Sequence, residues 1–116
     1  MLVTIYHNPK CAKSRATLQL LKKHGIEPRV VEYLKTPPSK AELEQLLALL
    51  GMEPRALLRA KEPEYKQAGL ADAKLSRAAL VRAMHEHPKL IERPIVVAGK
   101  KAALGRPPEN VLKILK

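Results

Sequence analysis

The sequence of 116 residues contains one cysteine, Cys11, and only three aromatic side chains, all of them tyrosines. A lone cysteine excludes a disulfide within the chain and a zinc site built from several cysteines. Any redox reaction at Cys11 therefore needs its second thiol from another molecule. Because Phe and Trp are absent, we expect a core of Leu, Val, Ile and Ala.

Long apolar runs are absent too. No segment approaches the roughly 20 apolar residues that span a bilayer, and residues 1–10 contain no apolar stretch followed by a small-residue cleavage site. We therefore expect a cytoplasmic protein with no membrane partner. The length is typical of one domain, and we assign residues 1–116 to it.

Acidic residues are few, with 11 Asp and Glu against 22 Lys and Arg, so that the net charge is +11. Such an excess attracts anions, and nucleic acid is one candidate. The basic residues are dispersed along the chain, however, and few rings are available on which bases could stack. A small anionic substrate explains the charge equally well, and nucleic acid is not the partner that we expect.

The start of the chain predicts a β-α-β unit. Residues 2–6 are a β-rich run, residues 11–24 have a helical pattern that ends at Gly25, and residues 28–33 are a second β-rich run. Such a unit requires a parallel pair of strands with a right-handed crossover.

The middle of the chain is predicted to be helical. Ser39 and Glu42 have the spacing of a capping box, and the leucines that follow repeat at helical spacing. We predict a short helix at residues 54–60, a turn at residues 62–63 and another helix that Ser76 caps.

The end of the chain predicts a β-β-α unit. Residues 94–98 and 101–104 form a hairpin, and Pro107 and Pro108 open a closing helix with Val111, Leu112 and Leu115 facing inward. A β-α-β unit and a β-β-α unit that share one mixed sheet are the thioredoxin-like arrangement. We therefore predict an α/β protein with a thioredoxin-like fold and a helical insertion between its two halves.

Cys11 lies directly after the first predicted strand, at the start of the first helix. The unpaired N–H groups and the positive end of the helix dipole favour a thiolate there. Lys10, Lys13 and Arg15 add positive charge within one turn, and His7 adds more when it is protonated. A buried, inert cysteine is the alternative, but the residues on both sides of Cys11 are polar. We predict that Cys11 is a nucleophile.

Ser14 follows Cys11 at the position of the second thiol in a Cys-x-x-Cys motif. In a thioredoxin-like frame this hydroxyl fits a one-thiol mechanism with an external reductant. Pro94 lies where thioredoxin-like folds place a cis-proline beside the nucleophile. Arg93 would then direct its charge at Cys11, although a solvated surface arginine is the alternative.

The pair His85 and His87 resembles a fragment of a metal-binding motif. Side chains two residues apart point to different sides of a helix, so they do not form a zinc-binding pair. We predict no metal site.

Residues 6–15, YHNPKCAKSR, resemble the active-site segment of the ArsC family, the glutaredoxin-linked arsenate reductases. The resemblance spans nearly the whole chain, through residues 33–38, 55–59, 92–97 and 105–109. It implies one nucleophile, Cys11, and three arginines that hold the oxyanion. These arginines are Arg59, Arg93 and Arg106. The resemblance also implies that Pro94 is the family's cis-proline and that His7 assists the cysteine.

The activity implied by the resemblance is arsenate reduction in arsenic detoxification, with glutathione as co-substrate, glutaredoxin as protein partner and no bound cofactor. A planar guanidinium suits an oxyanion because it binds two oxygens at once and stays charged. In its length and in the sequence GRPP at residues 105–108, the chain looks like the short chromosomal members of the family. By this resemblance the substrate is arsenate, another oxyanion or a disulfide.

Two other functions stay open. The Spx branch of the same superfamily binds RNA polymerase, but its members commonly carry Cys-x-x-Cys and lack the three arginines. A general monothiol glutaredoxin would act on glutathionylated proteins, and the arginines speak against it.

Overall fold

The computed structural model describes residues 2–115. Met1 and Lys116, the two ends of the predicted domain, lie outside the described residues. The chain forms two compact units. The first combines both ends of the chain, up to Thr36 and from Arg93 onward, and the second is Pro37–Glu92. A single domain over residues 1–116 stays a prediction.

The first unit contains a four-stranded mixed sheet with the strand order β2-β1-β3-β4. Strand β1 pairs in parallel with β2 and antiparallel with β3, which pairs antiparallel with β4. The four strands are β1 (Val3–Tyr6), β2 (Arg29–Val31), β3 (Ile95–Ala98) and β4 (Lys101–Leu104). Strand β2 is shorter than predicted, because the N–H groups of Lys35 and Thr36 bond to the Glu32 carbonyl and turn the chain.

Helix α1, Ala12–Lys23, connects β1 to β2 and agrees closely with the predicted helix. It ends at His24, and Gly25 follows with a φ of +76°, a left-handed conformation that costs glycine little. Its apolar face packs into the core beside the sheet, and the buried members of this core are Val3, Ile5, Leu21, Val96, Ala98, Val111 and Ile114.

The closing segment Pro108–Ile114 is a 3₁₀ helix. Val111 and Ile114 are buried, whereas Leu112 and Leu115 are only half-buried. Of the three residues predicted to face inward, Val111 is confirmed, whereas the prediction for Leu112 and Leu115 assumed the α-helical period. A 3₁₀ helix repeats every three residues, which places Val111 and Ile114 on the same face.

The second unit is mainly helical. Its α-helices are α2 (Lys40–Leu50), α3 (Pro54–Leu57), α4 (Pro63–Gln67) and α5 (Arg77–Glu86), and a 3₁₀ helix covers Pro88–Leu90. Both bonds of the predicted capping box between Ser39 and Glu42 are present at the start of α2. Helices α2 and α5 pack against each other. No helix within residues 2–115 is long and apolar enough to cross a membrane.

Two predictions in this unit were wrong in detail. Helix α3 stops at Leu57, because Leu58 is extended and forms an isolated β-bridge with Ile91. The turn predicted at residues 62–63 is the start of helix α4. Pro63 occupies its first turn, where a missing N–H costs nothing, and Tyr65 is buried.

Candidate active site

Cys11 is the N-cap residue of α1 and is half-buried. The loop before it is held by its own polar groups. The Cys11 N–H donates to the Asn8 carbonyl at 3.0 Å, and the Lys10 N–H donates to Asn8 Oδ1 at 3.0 Å. From within the helix, Arg15 donates a guanidinium hydrogen bond to the Pro9 carbonyl at 3.0 Å. The loop is therefore fixed on the end of α1, and the predicted supporting residue Arg15 contacts it directly.

The pKa of the Cys11 thiol lies below its ordinary value. Burial raises this pKa, but it is outweighed by a hydrogen bond from the Ser14 N–H, the charge of Arg93, a hydrogen bond from the Lys13 N–H and one from the Arg93 side chain. The donors at the helix N-terminus and the Arg93 guanidinium thus stabilise the thiolate. The side chains of Lys10 and Lys13 are exposed, where water screens their charge.

Ser14 is completely buried under this loop. Its hydroxyl accepts a hydrogen bond from the Asn8 N–H at 3.0 Å and lies 2.6 Å from His7 Nδ1. The backbone N–H of His7 donates to the Val31 carbonyl of β2 at 2.8 Å. Ser14 and His7 therefore connect the loop around Cys11 to the edge of the sheet.

His7 is buried, and burial lowers its pKa. Glu32 raises this pKa, Arg15 and Lys22 lower it further, and the net result lies below the ordinary value. The imidazole is therefore neutral near pH 7 and adds no positive charge beside Cys11. The Ser14 hydroxyl thus has two partners, the Asn8 N–H and His7 Nδ1.

Arg93 and Arg106 are joined in the first unit. Arg106 donates a guanidinium hydrogen bond to the Arg93 carbonyl at 3.2 Å, and the Gly105 N–H donates to the Pro94 carbonyl at 2.9 Å. The Arg93–Pro94 and Arg106–Pro107 peptide bonds are both cis. Because Arg93 also bonds to Cys11, the structure brings together the nucleophile and two of the three predicted oxyanion ligands.

Gly105 and Thr17 form a close packing contact that the sequence analysis did not predict. A Cβ at Gly105 would overlap Thr17 Oγ1 and would lie 2.7 Å from Pro94 Cγ. Thr17 is buried in α1, with its Oγ1 2.8 Å from the Lys13 carbonyl and 3.5 Å from the Gly105 carbonyl. A threonine on the buried face of α1 and a glycine directly before Arg106 were the available signals.

Arg59, the third predicted ligand, lies in the second unit. Its N–H donates to the Leu90 carbonyl at 2.7 Å, and its guanidinium donates to the Lys89 carbonyl at 3.2 Å. The same guanidinium forms an ion pair with Glu62 at 2.6 Å. Sequence analysis placed only a turn at Glu62 and did not identify this partner.

Within residues 2–115, no group of three His, Cys, Asp or Glu side chains is placed to hold a metal ion. His85, half of the pair considered above, instead bonds through Nδ1 to the Pro38 carbonyl at 2.8 Å.

Residues 6–114 match the model of the ArsC family. The chain belongs to the ArsC family. It is 59% identical over 114 residues to the uncharacterized protein YfgD of Escherichia coli K12, covering 97% of this chain and 96% of YfgD. It is 48% identical over 114 residues to the arsenate reductase of Neisseria meningitidis serogroup A, covering 97% of each chain.

A solved ArsC structure gives the same result for the fold. The arsenate reductase from Vibrio cholerae superposes with a TM-score of 0.97 at 59% identity, covering 99% of this chain and 98% of that one. The predicted α/β, thioredoxin-like fold and the resemblance to the ArsC family are therefore confirmed.

Proposed function

We propose that this ArsC protein is an arsenate reductase in which Cys11 is the only nucleophile and Arg59, Arg93 and Arg106 hold the oxyanion. The observation that carries the proposal is Cys11 at the N-terminus of α1, with its pKa lowered by helix N–H groups and by Arg93. The substrate comes from the relatives named arsenate reductase.

The first step joins two anions. The Cys11 thiolate attacks arsenic, an As–S bond forms, and one arsenate oxygen leaves as water after protonation. The thiolate and the arsenate anion repel each other when they come into bonding contact, so the reaction needs fixed positive charge around the oxyanion. Arg93 supplies such charge next to the thiolate, and Arg106 is bonded to the same segment. Charge placed in advance stabilises the transition state without reorganisation.

The later steps need external thiols, because the chain has no second cysteine. Glutathione displaces another oxygen of the adduct as water and forms a second As–S bond. A glutaredoxin thiolate then attacks the glutathione sulfur, and the electron pair of the broken As–S bond reduces As(V) to As(III). Water finally releases arsenite and frees Cys11. The other product is a disulfide between glutaredoxin and glutathione.

Glutathione and glutaredoxin are thus the proposed co-substrate and protein partner, and no bound cofactor takes part. We place the reaction in the cytoplasm, where the glutathione pool keeps thiols reduced.

The test is a coupled assay with glutathione, glutaredoxin, glutathione reductase and NADPH. We expect NADPH oxidation that depends on arsenate, is lost in Cys11→Ser, and falls in Arg59→Ala, Arg93→Ala and Arg106→Ala. NADPH oxidation with a glutathionylated peptide, but none with arsenate, would instead identify a general monothiol glutaredoxin. Activity that survives all single arginine changes would refute the oxyanion site.

A further inference from the structure

The Glu62 carboxylate contacts Arg59, a proposed oxyanion ligand, and no step of the proposed reaction uses it. Its Oε1 lies 2.6 Å from the terminal nitrogen Nη2 of Arg59, and the two side chains are only 18% and 21% exposed. We infer that Glu62 is a positioning residue that fixes the Arg59 guanidinium and sets how strongly it binds an oxyanion. This inference rests on the proposed function, which assigns Arg59 to the oxyanion.

Arg59 is held on two sides. Glu62 accepts from Nη2, while the Lys89 carbonyl accepts from Nη1 at 3.2 Å. The backbone is fixed as well, through the Arg59 N–H to Leu90 and the Glu62 N–H to the Arg59 carbonyl at 3.1 Å. A long side chain that is already ordered loses little conformational freedom when a ligand arrives.

The same carboxylate also weakens the attraction for an oxyanion. It occupies one edge of a planar guanidinium that an oxyanion would otherwise engage with two hydrogen bonds. Its negative charge cancels part of the Arg59 charge, and because both groups are largely shielded from water, screening is weaker than for an exposed pair. Glu62 therefore both orders the Arg59 side chain and limits how strongly that side chain attracts an oxyanion.

Two variants separate these effects. Glu62→Gln keeps an oxygen that accepts from Arg59 but removes the negative charge, whereas Glu62→Ala removes both. Titration calorimetry with inorganic sulfate measures oxyanion affinity without any reaction. We expect Glu62→Gln to bind sulfate about 2- to 5-fold more tightly than the wild type. We expect Glu62→Ala to bind it about 2- to 10-fold more weakly than Glu62→Gln, because its arginine is not ordered.

Glu64 provides the matched control. It lies in the first turn of α4, the helix that Glu62 precedes as N-cap residue, and its ion pair is with the Lys89 side chain at 3.2 Å. Glu64→Gln removes the same charge and should leave the affinity for sulfate unchanged. Equal tightening in Glu64→Gln and Glu62→Gln would show a general charge effect and overturn the inference, as would equal affinities in Glu62→Gln and Glu62→Ala. Melting temperatures identify any variant that fails to fold.

Arsenate turnover separates this inference from the proposed function. In the coupled assay, the KM for arsenate should follow the same order as the sulfate affinities, with little change in kcat. Arsenate turnover by the wild type without this order would overturn the role of Glu62 and leave the function standing. If the sulfate affinities follow the expected order but arsenate is not turned over, the positioning role of Glu62 is supported and arsenate is overturned as the substrate.

Discussion

At the scale of single residues, the reactivity of Cys11 depends on both local and distant groups. The N–H groups of Lys13 and Ser14 come from the turn that Cys11 caps, and the Arg93 guanidinium comes from the segment before β3. The local part follows from the strand-to-helix pattern of the sequence. The contribution of Arg93 depends on the fold that places it there.

The pKa of Cys11 gives a direct prediction. The rate of alkylation by iodoacetamide, followed against pH, should inflect below the value of about 8.5 for a free thiol. Arg93→Ala should move the inflection upward, because its charge and its hydrogen bond favour the thiolate. Lys100 is an exposed residue in the β3–β4 turn. The control variant Lys100→Ala should leave the inflection in place. An unchanged profile in Arg93→Ala would contradict the assignment.

His7 shows what a sequence cannot decide about a titrating residue. Because it lies four residues before Cys11, the sequence predicts that it adds charge there when it is protonated. In the structure it is buried and bonded to Ser14, and its pKa is lowered. The direction follows from burial and from the surrounding charges, which depend on tertiary packing.

At the scale of elements, the contact between α1 and the segment before Arg106 holds two parts of the site together. It depends on the missing side chain of Gly105, since Thr17 and Pro94 occupy the space of a Cβ. The contact joins the helix that begins at Cys11 to the chain that carries Arg106.

Gly105→Ala tests this contact. We expect a loss of about 1–3 kcal/mol in the free energy of unfolding from overpacking, measured by urea denaturation. Thr17→Ala should recover part of that loss in the double variant, because it removes one of the two overlapping groups. Strictly additive effects of the two changes would show that the residues do not interact.

Sequence pattern predicted those elements that have local signals. The capping box at Ser39 and the end of α1 at Gly25 were correct because caps are encoded within a few residues. Three features were not predicted: the 3₁₀ form of the closing helix, the early end of α3 and helix α4. The early end of α3, for example, reflects the bridge between Leu58 and Ile91, which are distant in sequence.

At the scale of the whole molecule, the three proposed oxyanion ligands come from different segments. Arg93 and Arg106 lie in the first unit, and Arg59 lies in the second. Composition and periodicity could single out Cys11, whereas Arg59 and Arg106 emerged only from the resemblance to the ArsC family. The net charge of +11 agrees with an anionic substrate but does not identify it.

The most direct test of the central claim is mass spectrometry of the intact protein, quenched after mixing with arsenate alone and with arsenate plus glutathione. We predict an arsenic-bearing adduct on Cys11 in the first sample, with glutathione added to it only in the second. Cys11→Ser should give neither. A simple disulfide between Cys11 and glutathione, formed equally with and without arsenate, would contradict the account.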